Sequence, residues 1–330
     1  MTHHWQVYGH DWAVNFLRKS IAHDRFRQAY LLTGMPGVGK TMLANTLAMA
    51  LNCEHESPDA RPCYTCRSCR LVMSGNHADM IYSELDPNTG ALKIEELRSV
   101  MQRIALKPYQ ARYRIAIISD FQRALDRSQD AFLKTLEEPP PHAIIMLLAP
   151  TTDNIMPTIL SRVQTLHLRP VPARQLEQIL TEQYGAAPDQ AAVLARFSGG
   201  RIGWALRALQ TPEMLNYRTN GLDLLENVVR MNRLERFALA DELAKDKAAL
   251  LELLDLWQTY WRDVLLLAYG GPVRVVNTDR EVTMQQMMYG IDAAQAVTAL
   301  KATQALHAAL QTNANVRLAV EVMLLDYPRV

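Results

Sequence analysis

The chain has 330 residues, a length that typically folds into two or three domains with their own hydrophobic cores. Its 35 basic and 34 acidic residues nearly balance, which excludes a strong overall attraction to nucleic acid or to membranes. The N-terminus lacks the apolar segment of a signal peptide, and no apolar run is long enough to cross a bilayer. We therefore expect a cytoplasmic protein without membrane contact.

The first half of the chain alternates predicted helices and short apolar strands. An amphipathic helix over 10–22, with Ala13, Phe16, Leu17 and Ile21 on one face, comes first. Strands are then predicted, with helices between them, at 29–32, 80–82, 114–119, 143–149 and 164–168. This alternation is typical of an α/β domain with a parallel sheet flanked by helices.

The first strand is followed by a phosphate-binding motif. Residues 34–41 match G-x-x-x-x-G-K-[ST], and a breaker-free helical run from Met42 to Leu51 follows. Glycines let backbone N–H groups converge on an anion, while Lys40 would reach the phosphates and Thr41 would bind Mg²⁺. The expected nucleotide-binding residues are Gly34, Pro36, Gly37, Val38, Gly39, Lys40, Thr41 and Met42.

All four cysteines lie in one polar segment after this helix. Because cytosolic cysteines rarely form disulfides, their clustering favours a metal site. Four thiolates suit a closed, tetrahedral, structural Zn²⁺ site, and nearby Arg61, Arg67 and Arg70 would offset its negative charge. An iron–sulfur cluster and a redox pair are the alternatives. The predicted zinc module, 53–69, has as its ligands Cys53, Cys63, Cys66 and Cys69.

The remaining chain is predicted to be helical. Three short helices are predicted between 174 and 209, and Leu- and Ala-rich helical periodicity continues from about Glu213. We therefore predict three domains: a nucleotide-binding domain at 1–169, a small three-helix lid at 170–212 and an all-α domain at 213–330.

Two further segments give a family resemblance. Together with the P-loop and the cysteine segment, LKTLEEPP at 133–140 and ILSR at 159–162 resemble the clamp-loader branch of the AAA+ family. The resemblance implies a RecA-like AAA+ domain, a lid and a helical collar that joins a hetero-pentameric ring. Such a ring loads a sliding clamp onto primed DNA during DNA replication.

The resemblance also assigns a role to Arg162, which occupies the position of an arginine finger. Such a guanidinium acts in trans, stabilising the negative charge that develops on the nucleotide of a neighbouring subunit. The family usually has Cys after this Arg, and here Val163 preserves a small apolar side chain.

Three departures from the active members of the family indicate weak catalysis. Ser119 and Asp120 stand where a hydrolysing subunit has Asp-Glu, so that Asp120 is a degenerate Walker B residue, and Gly203 replaces a phosphate-sensing Arg. Because positioning and charge stabilisation supply most of this catalysis, we expect ATP and Mg²⁺ binding with little or no hydrolysis. The pattern resembles a stator subunit of the loader. The alternatives are an active clamp-loader ATPase subunit and an unrelated P-loop kinase.

Overall fold

The structure is a computed structural model that describes residues 5–87, 89–211, 213–270, 275–310 and 314–329. The chain divides into two compact units, 1–204 and 205–330. The predicted separation of a lid at 170–212 from the nucleotide-binding domain stays a prediction. Three of the predicted domain ends, at residues 1, 212 and 330, lie outside the described residues.

The first unit is built on a five-stranded, fully parallel sheet with the strand order β2-β3-β4-β1-β5. The strands are β1 (Ala29–Thr33), β2 (Met80–Tyr82), β3 (Arg114–Ile118), β4 (Ala143–Ala149) and β5 (Gln164–His167). The helices are α1 (Asp11–Ala22), α2 (Lys40–Asn52), α3 (Arg67–Met73), α4 (Ile94–Ala105), α5 (Asp126–Glu137), α6 (Pro157–Leu160), α7 (Ala173–Tyr184) and α8 (Pro188–Phe197). Helix α9 (Ile202–Gln210) follows.

The central strands are buried on both faces, which explains their continuous apolar sequences. Along β1, Tyr30 and Leu32 belong to one hydrophobic core, whereas Ala29 and Leu31 belong to a second core. This alternation follows from the period of two along a strand. The α/β class with a parallel sheet flanked by helices is confirmed.

The apolar face predicted for α1 is only partly buried. Phe16 was assigned to the same apolar face of α1 as Ala13 and Leu17, yet it is 40% exposed, and Val14 is buried beside these two residues. The buried stripe is narrower than the apolar stripe of the sequence, which leaves Trp12 and Phe16 at the surface.

The described part of the second unit is helical, as the sequence predicts. Its helices are α10 (Glu213–Val228), α11 (Arg233–Leu243), α12 (Lys247–Ala268), α13 (Glu281–Met287), α14 (Ala293–Ala309) and α15 (Val316–Asp326). They enclose one core that contains Trp257, Trp261 and Tyr327. Among the described helices, none is long and apolar enough to span a membrane.

Candidate nucleotide and metal sites

The phosphate-binding loop connects β1 to α2, in the strand–loop–helix context that the motif requires. Gly34, Gly37 and Gly39 have φ angles of 142°, 79° and 117°, which side chains other than glycine rarely adopt. The loop is anchored at its start because the Gly34 N–H donates to Pro150 O at 3.0 Å. Helix α2 begins at Lys40, two residues earlier than predicted, so Lys40 and Thr41 form its first turn. The N-terminal end of α2 therefore faces the loop, as an anion site demands.

The side chains of Lys40 and His10 both donate hydrogen bonds to backbone carbonyl groups of the loop. The Lys40 ammonium donates to Gly34 O at 2.5 Å and to Met35 O at 3.1 Å. Burial lowers the pKa of Lys40, and the charge of Asp120 acts in the opposite direction. His10, which is 1% exposed, has Nε2 at 2.8 Å from Val38 O, so Nε2 carries a proton and donates. This role could not be predicted from the sequence, because a histidine that precedes a helix can serve many purposes.

The start of α9 lies directly on the loop. The Gly203 N–H donates to Gly37 O at 2.8 Å, and a Cβ at Gly203 would lie 3.0 Å from that oxygen. Arg201 directs its Nε to Ser198 O at 2.8 Å, and its guanidinium lies over the Trp204 ring. The position expected to sense phosphate is therefore next to the loop and has no side chain, while the nearby Arg201 is directed elsewhere.

The segment after β3 carries the residues expected for the metal and the attacking water. The Ser119 N–H donates to Ser83 Oγ at 3.1 Å, and Asp120 Oδ1 accepts from Gln122 Nε2 at 3.2 Å. Asp120 has a φ of 51°, in the left-handed region that Asp tolerates better than most residues. Its charge acts on Lys40, which places both groups at the same end of the sheet.

Arg162 lies just after α6 with its guanidinium partly exposed. Nη1 donates to Thr158 O at 2.8 Å and to Ser161 Oγ at 3.1 Å, and Nη2 lies 2.5 Å from Glu137 Oε1. Glu137 ends α5 within the segment LKTLEEPP, so the two segments that gave the family resemblance meet here. The sequence did not predict this contact.

Gln129 joins the segments that follow β3 and β4, and the sequence did not predict this role. Its amide donates to Ala124 O at 3.0 Å and to Asn154 O at 2.9 Å, and its oxygen accepts from the Met156 N–H at 2.9 Å. The side chain is 1% exposed, so these three bonds satisfy a buried amide. Gln129 thereby ties the segment after β3 to the segment that leads into α6. A glutamine inside an amphipathic helix offers no sequence signal for such a role.

The four predicted cysteine ligands lie together. The sulfur atoms of Cys53, Cys63, Cys66 and Cys69 all lie within 4.8 Å of one another. A tetrahedral site with Zn–S bonds of about 2.3 Å has sulfur atoms about 3.8 Å apart. The four sulfur atoms would therefore need to approach one another by about 1 Å at most to bind the ion.

Backbone and side-chain donors surround these thiols, as expected for a thiolate site. The N–H groups of Cys63, Cys66 and Cys69 lie 3.3–3.4 Å from the sulfur atoms of Cys53, Cys63 and Cys66, respectively. Burial acts to raise the pKa of Cys63, but hydrogen bonds from Thr65 and the Cys66 N–H lower it to about 6. Burial instead raises the pKa of the Cys53 and Cys69 thiols, so a bound metal would itself have to displace the protons of these two ligands.

Fold and site together define a P-loop α/β domain with a cysteine cluster, followed along the chain by a helical unit. The family model described as "DNA polymerase III, delta subunit" matches residues 9–172. The chain belongs to the family of DNA polymerase III clamp-loader subunits, within the AAA+ proteins.

Two relatives match different shares of the chain. The tau subunit of DNA polymerase III from Escherichia coli K12 is 34% identical over 205 residues, which cover 61% of this chain and 31% of tau. The delta' subunit from Bacillus subtilis 168 is 26% identical over 276 residues, which cover 83% of this chain and 82% of delta'. The chain thus spans about a third of the length of the tau relative.

A solved structure is also similar along most of its length. A DNA polymerase III gamma subunit-related protein from Thermotoga maritima is 19% identical and has a TM-score of 0.48. The match covers 95% of this chain and 97% of that one.

Proposed function

We propose that the chain is a delta-prime-type subunit of a bacterial DNA polymerase III clamp loader. In this role it binds ATP with Mg²⁺, hydrolyses it weakly or not at all, and supplies Arg162 to the nucleotide site of a neighbouring subunit. As part of a hetero-pentameric ring in the cytoplasm, it helps to load the sliding clamp onto primed DNA.

Nucleotide binding is supported by the geometry of the loop. Three glycines adopt positive φ angles, α2 begins at the loop, and Lys40 lies within it. These are the elements that hold phosphates without catalysing their transfer. The nucleotide-binding set stays a prediction: Gly34, Pro36, Gly37, Val38, Gly39, Lys40, Thr41 and Met42.

Weak hydrolysis rests above all on Gly203. Its backbone bonds to Gly37 O at 2.8 Å, so the position is adjacent to the phosphate loop and offers no guanidinium. Ser119 is a poorer Mg²⁺ ligand than a carboxylate, and Asp120 is one methylene shorter than Glu. Because phosphoryl transfer depends on charge stabilisation, losing these groups slows turnover more than it weakens binding.

Two observations support the role of a stator, a subunit that assists its neighbour's hydrolysis and hydrolyses little itself. They are the exposure of Arg162 and the share of the chain that the delta' relative covers. The guanidinium is partly exposed, as a group that acts on another subunit must be, and its planar fork suits a phosphate. The delta' relative matches over most of both chains, whereas the tau relatives match over a part.

The test is ATP binding and turnover by the purified chain, alone and in a mixture with its ring partners. We expect binding without appreciable turnover for the chain alone, and turnover in the mixture that falls when Arg162 is replaced by Ala. Rapid turnover by the isolated chain would contradict the proposal.

An active, gamma- or tau-type ATPase is the second candidate, favoured by the 34% identity to tau over the nucleotide-binding region. It requires Ser119 and Asp120 to act as Asp-Glu does. Turnover by the isolated chain that is lost in Asp120→Asn identifies this candidate. The kinase alternative is dropped, since the chain belongs to the clamp-loader family.

The cysteine cluster is proposed to bind one structural Zn²⁺. Four sulfur ligands close the coordination sphere, which leaves no open position for catalysis. The ion would hold the 53–69 segment in its fold. An iron–sulfur cluster would instead give the purified protein visible absorption and bound iron.

A further inference from the structure

A polar cavity of about 320 Å³ lies beside the cysteine segment. Its lining includes Glu54, Arg67, Ser68, His77, Gln110 and Arg112, and we call it the Arg67–Arg112 pocket. His77 precedes β2 and Arg112 precedes β3, so the pocket lies at the amino ends of the parallel strands. The phosphate loop follows the carboxyl end of β1 and lies at the opposite edge of the sheet. The pocket is therefore separate from the nucleotide site.

Two buried side chains fix the backbone of the pocket. Asp79, which is 0% exposed, accepts the N–H groups of Tyr109, Gln110 and Ala111 at 2.6–3.0 Å. The Asn52 amide donates to Tyr113 O and accepts from the Tyr113 N–H, both at 2.9 Å. Buried side-chain bonds of this kind hold a loop in one conformation, so the 109–113 wall is rigid.

A second chain of bonds fixes the opposite wall. His77 Nδ1 accepts the Asp79 N–H at 3.1 Å, so Nε2 of the neutral ring donates to Ser68 Oγ at 3.1 Å. The Ser68 N–H in turn donates to Glu54 Oε1 at 3.2 Å. The side chains of His77 and Ser68 therefore already have hydrogen-bond partners within the chain and do not require a ligand.

The charged groups at the pocket are only partly used. Within the described chain, the Arg67 guanidinium makes no hydrogen bond or ion pair, and Arg112 uses one nitrogen, Nη2, to donate to Cys53 O at 2.8 Å. Arg61, by contrast, donates hydrogen bonds within the cysteine segment, from Nε to His55 O and from Nη2 to Glu56 O. A rigid cavity therefore holds two guanidinium groups with free donors.

We propose that the Arg67–Arg112 pocket binds a carboxylate side chain of an acidic peptide segment on a partner protein. Two guanidinium groups offer planar forks that match a carboxylate. The volume exceeds that of a carboxylate alone and accommodates part of the peptide that carries it. The free oxygen of Glu54 and the amide of Gln110 are suited to peptide N–H groups.

The charge of the lining disfavours nucleic acid. Arg67 and Arg112 are opposed by Glu54, and burial lowers the pKa of His77, which keeps the ring neutral. A net charge of about one positive unit matches a single carboxylate, whereas a chain of phosphates binds along an extended basic surface.

The experiment is NMR on the full, ¹⁵N-labelled chain, observing the arginine Nε–Hε signals. The probes are acetyl-Gly-Glu-Gly-amide, its Gln counterpart, inorganic phosphate and a short thymidine oligonucleotide. We expect the Glu peptide to shift the Arg67 signal in a saturable manner and the Gln peptide to leave it unchanged. Arg67→Gln, observed through the Arg112 signal, should weaken binding about tenfold or more, because a charge-assisted fork is lost.

Arg70→Gln is the matched control, since Arg70 is exposed on the same helix and does not line the pocket. It should change affinity less than about twofold. If Arg67→Gln alters the thermal midpoint, Arg67→Lys supplies the test, with an intermediate loss expected because the charge remains without the fork. Equal binding of the Glu and Gln peptides, equal losses at Arg67 and Arg70, or preferential binding of phosphate or oligonucleotide would each overturn the proposal. None of these readouts depends on ATP turnover.

Discussion

Arg162 and Glu137 form an ion pair within one chain, with Nη2 2.5 Å from Oε1. The other terminal nitrogen of Arg162 donates to Thr158 O and Ser161 Oγ. Both ends of the guanidinium fork are therefore bonded to the subunit that carries it. If Arg162 serves a neighbouring nucleotide, a phosphate of that nucleotide competes with the Glu137 carboxylate for the positive charge of the guanidinium.

Replacing Arg162 by Ala should remove turnover at the neighbouring site of a reconstituted loader. An arginine finger contributes roughly 10³-fold or more to phosphoryl transfer. Single-turnover ATP hydrolysis, with the chain as the only varied component, measures the effect. Nucleotide binding by the chain itself should be unchanged, and a loss there would mean that Arg162 supports its own site instead.

Replacing Glu137 by Gln should raise turnover at that neighbouring site, by up to about fivefold. The pair is partly exposed, with side chains 34% and 46% accessible, so releasing the guanidinium yields at most about 1 kcal/mol. Glu138→Gln is the control, because it removes a carboxylate from the next position, which is not paired with Arg162. A large fall in turnover for Glu137→Gln would show that Glu137 instead holds Arg162 in its working position.

The double change Ser119→Asp and Asp120→Glu should not restore rapid hydrolysis. Gly203 would still lack a guanidinium, and residue 120 has a φ of 51°, which Glu adopts less readily than Asp. We expect the free energy of unfolding to fall by about 1 kcal/mol and turnover to stay low. Denaturant unfolding and initial ATPase rates test this, with Asp120→Asn as a control that tolerates the same backbone. Fast turnover in the double variant would contradict the role given to Gly203.

Local patterns in the sequence predicted the strands, most helices and the cysteine cluster. These features depend on near neighbours: apolar runs, glycine spacing and cysteine spacing are visible within one segment. The contacts that were missed join distant segments, such as His10 with Val38 and Glu137 with Arg162. Phe16 shows the same limit, because periodicity defines an apolar face and only packing decides which of its residues are covered.

Removing the proposed zinc should destabilise the 53–69 segment. Cys66→Ser replaces one of four sulfur ligands and should reduce bound zinc below one ion per chain and lower the thermal midpoint by roughly 5–10 °C. Zinc analysis and thermal unfolding with and without chelator measure both effects. Thr65→Ala is the control, because it removes only a hydrogen bond to Cys63 Sγ. A chain that lacks zinc and keeps its thermal midpoint in chelator would rule out a structural metal.

The pH dependence of stability should reveal the histidine beneath the phosphate loop. Burial lowers the pKa of His10, against smaller opposing effects of Val38 O and Asp11. Below pH 6.5, the usual value, the unfolded chain therefore takes up a proton that the folded chain resists. Because the unfolded state then binds more protons, the free energy of unfolding falls as pH falls from 6.5 towards the lowered pKa. His77 shifts in the same direction and adds to the slope.

His10→Gln separates the two histidines, since a Gln amide can donate to Val38 O and does not titrate. The variant should keep nucleotide binding near neutral pH and lose part of the fall in stability below pH 6.5. His23→Gln, which changes an exposed histidine at the end of α1, should retain the whole fall. Urea unfolding at a series of pH values from 5 to 8 gives the three slopes. Identical slopes for the His10 and His23 variants would mean that the pKa of His10 is the same in the folded and unfolded chains, which would contradict the effect of burial.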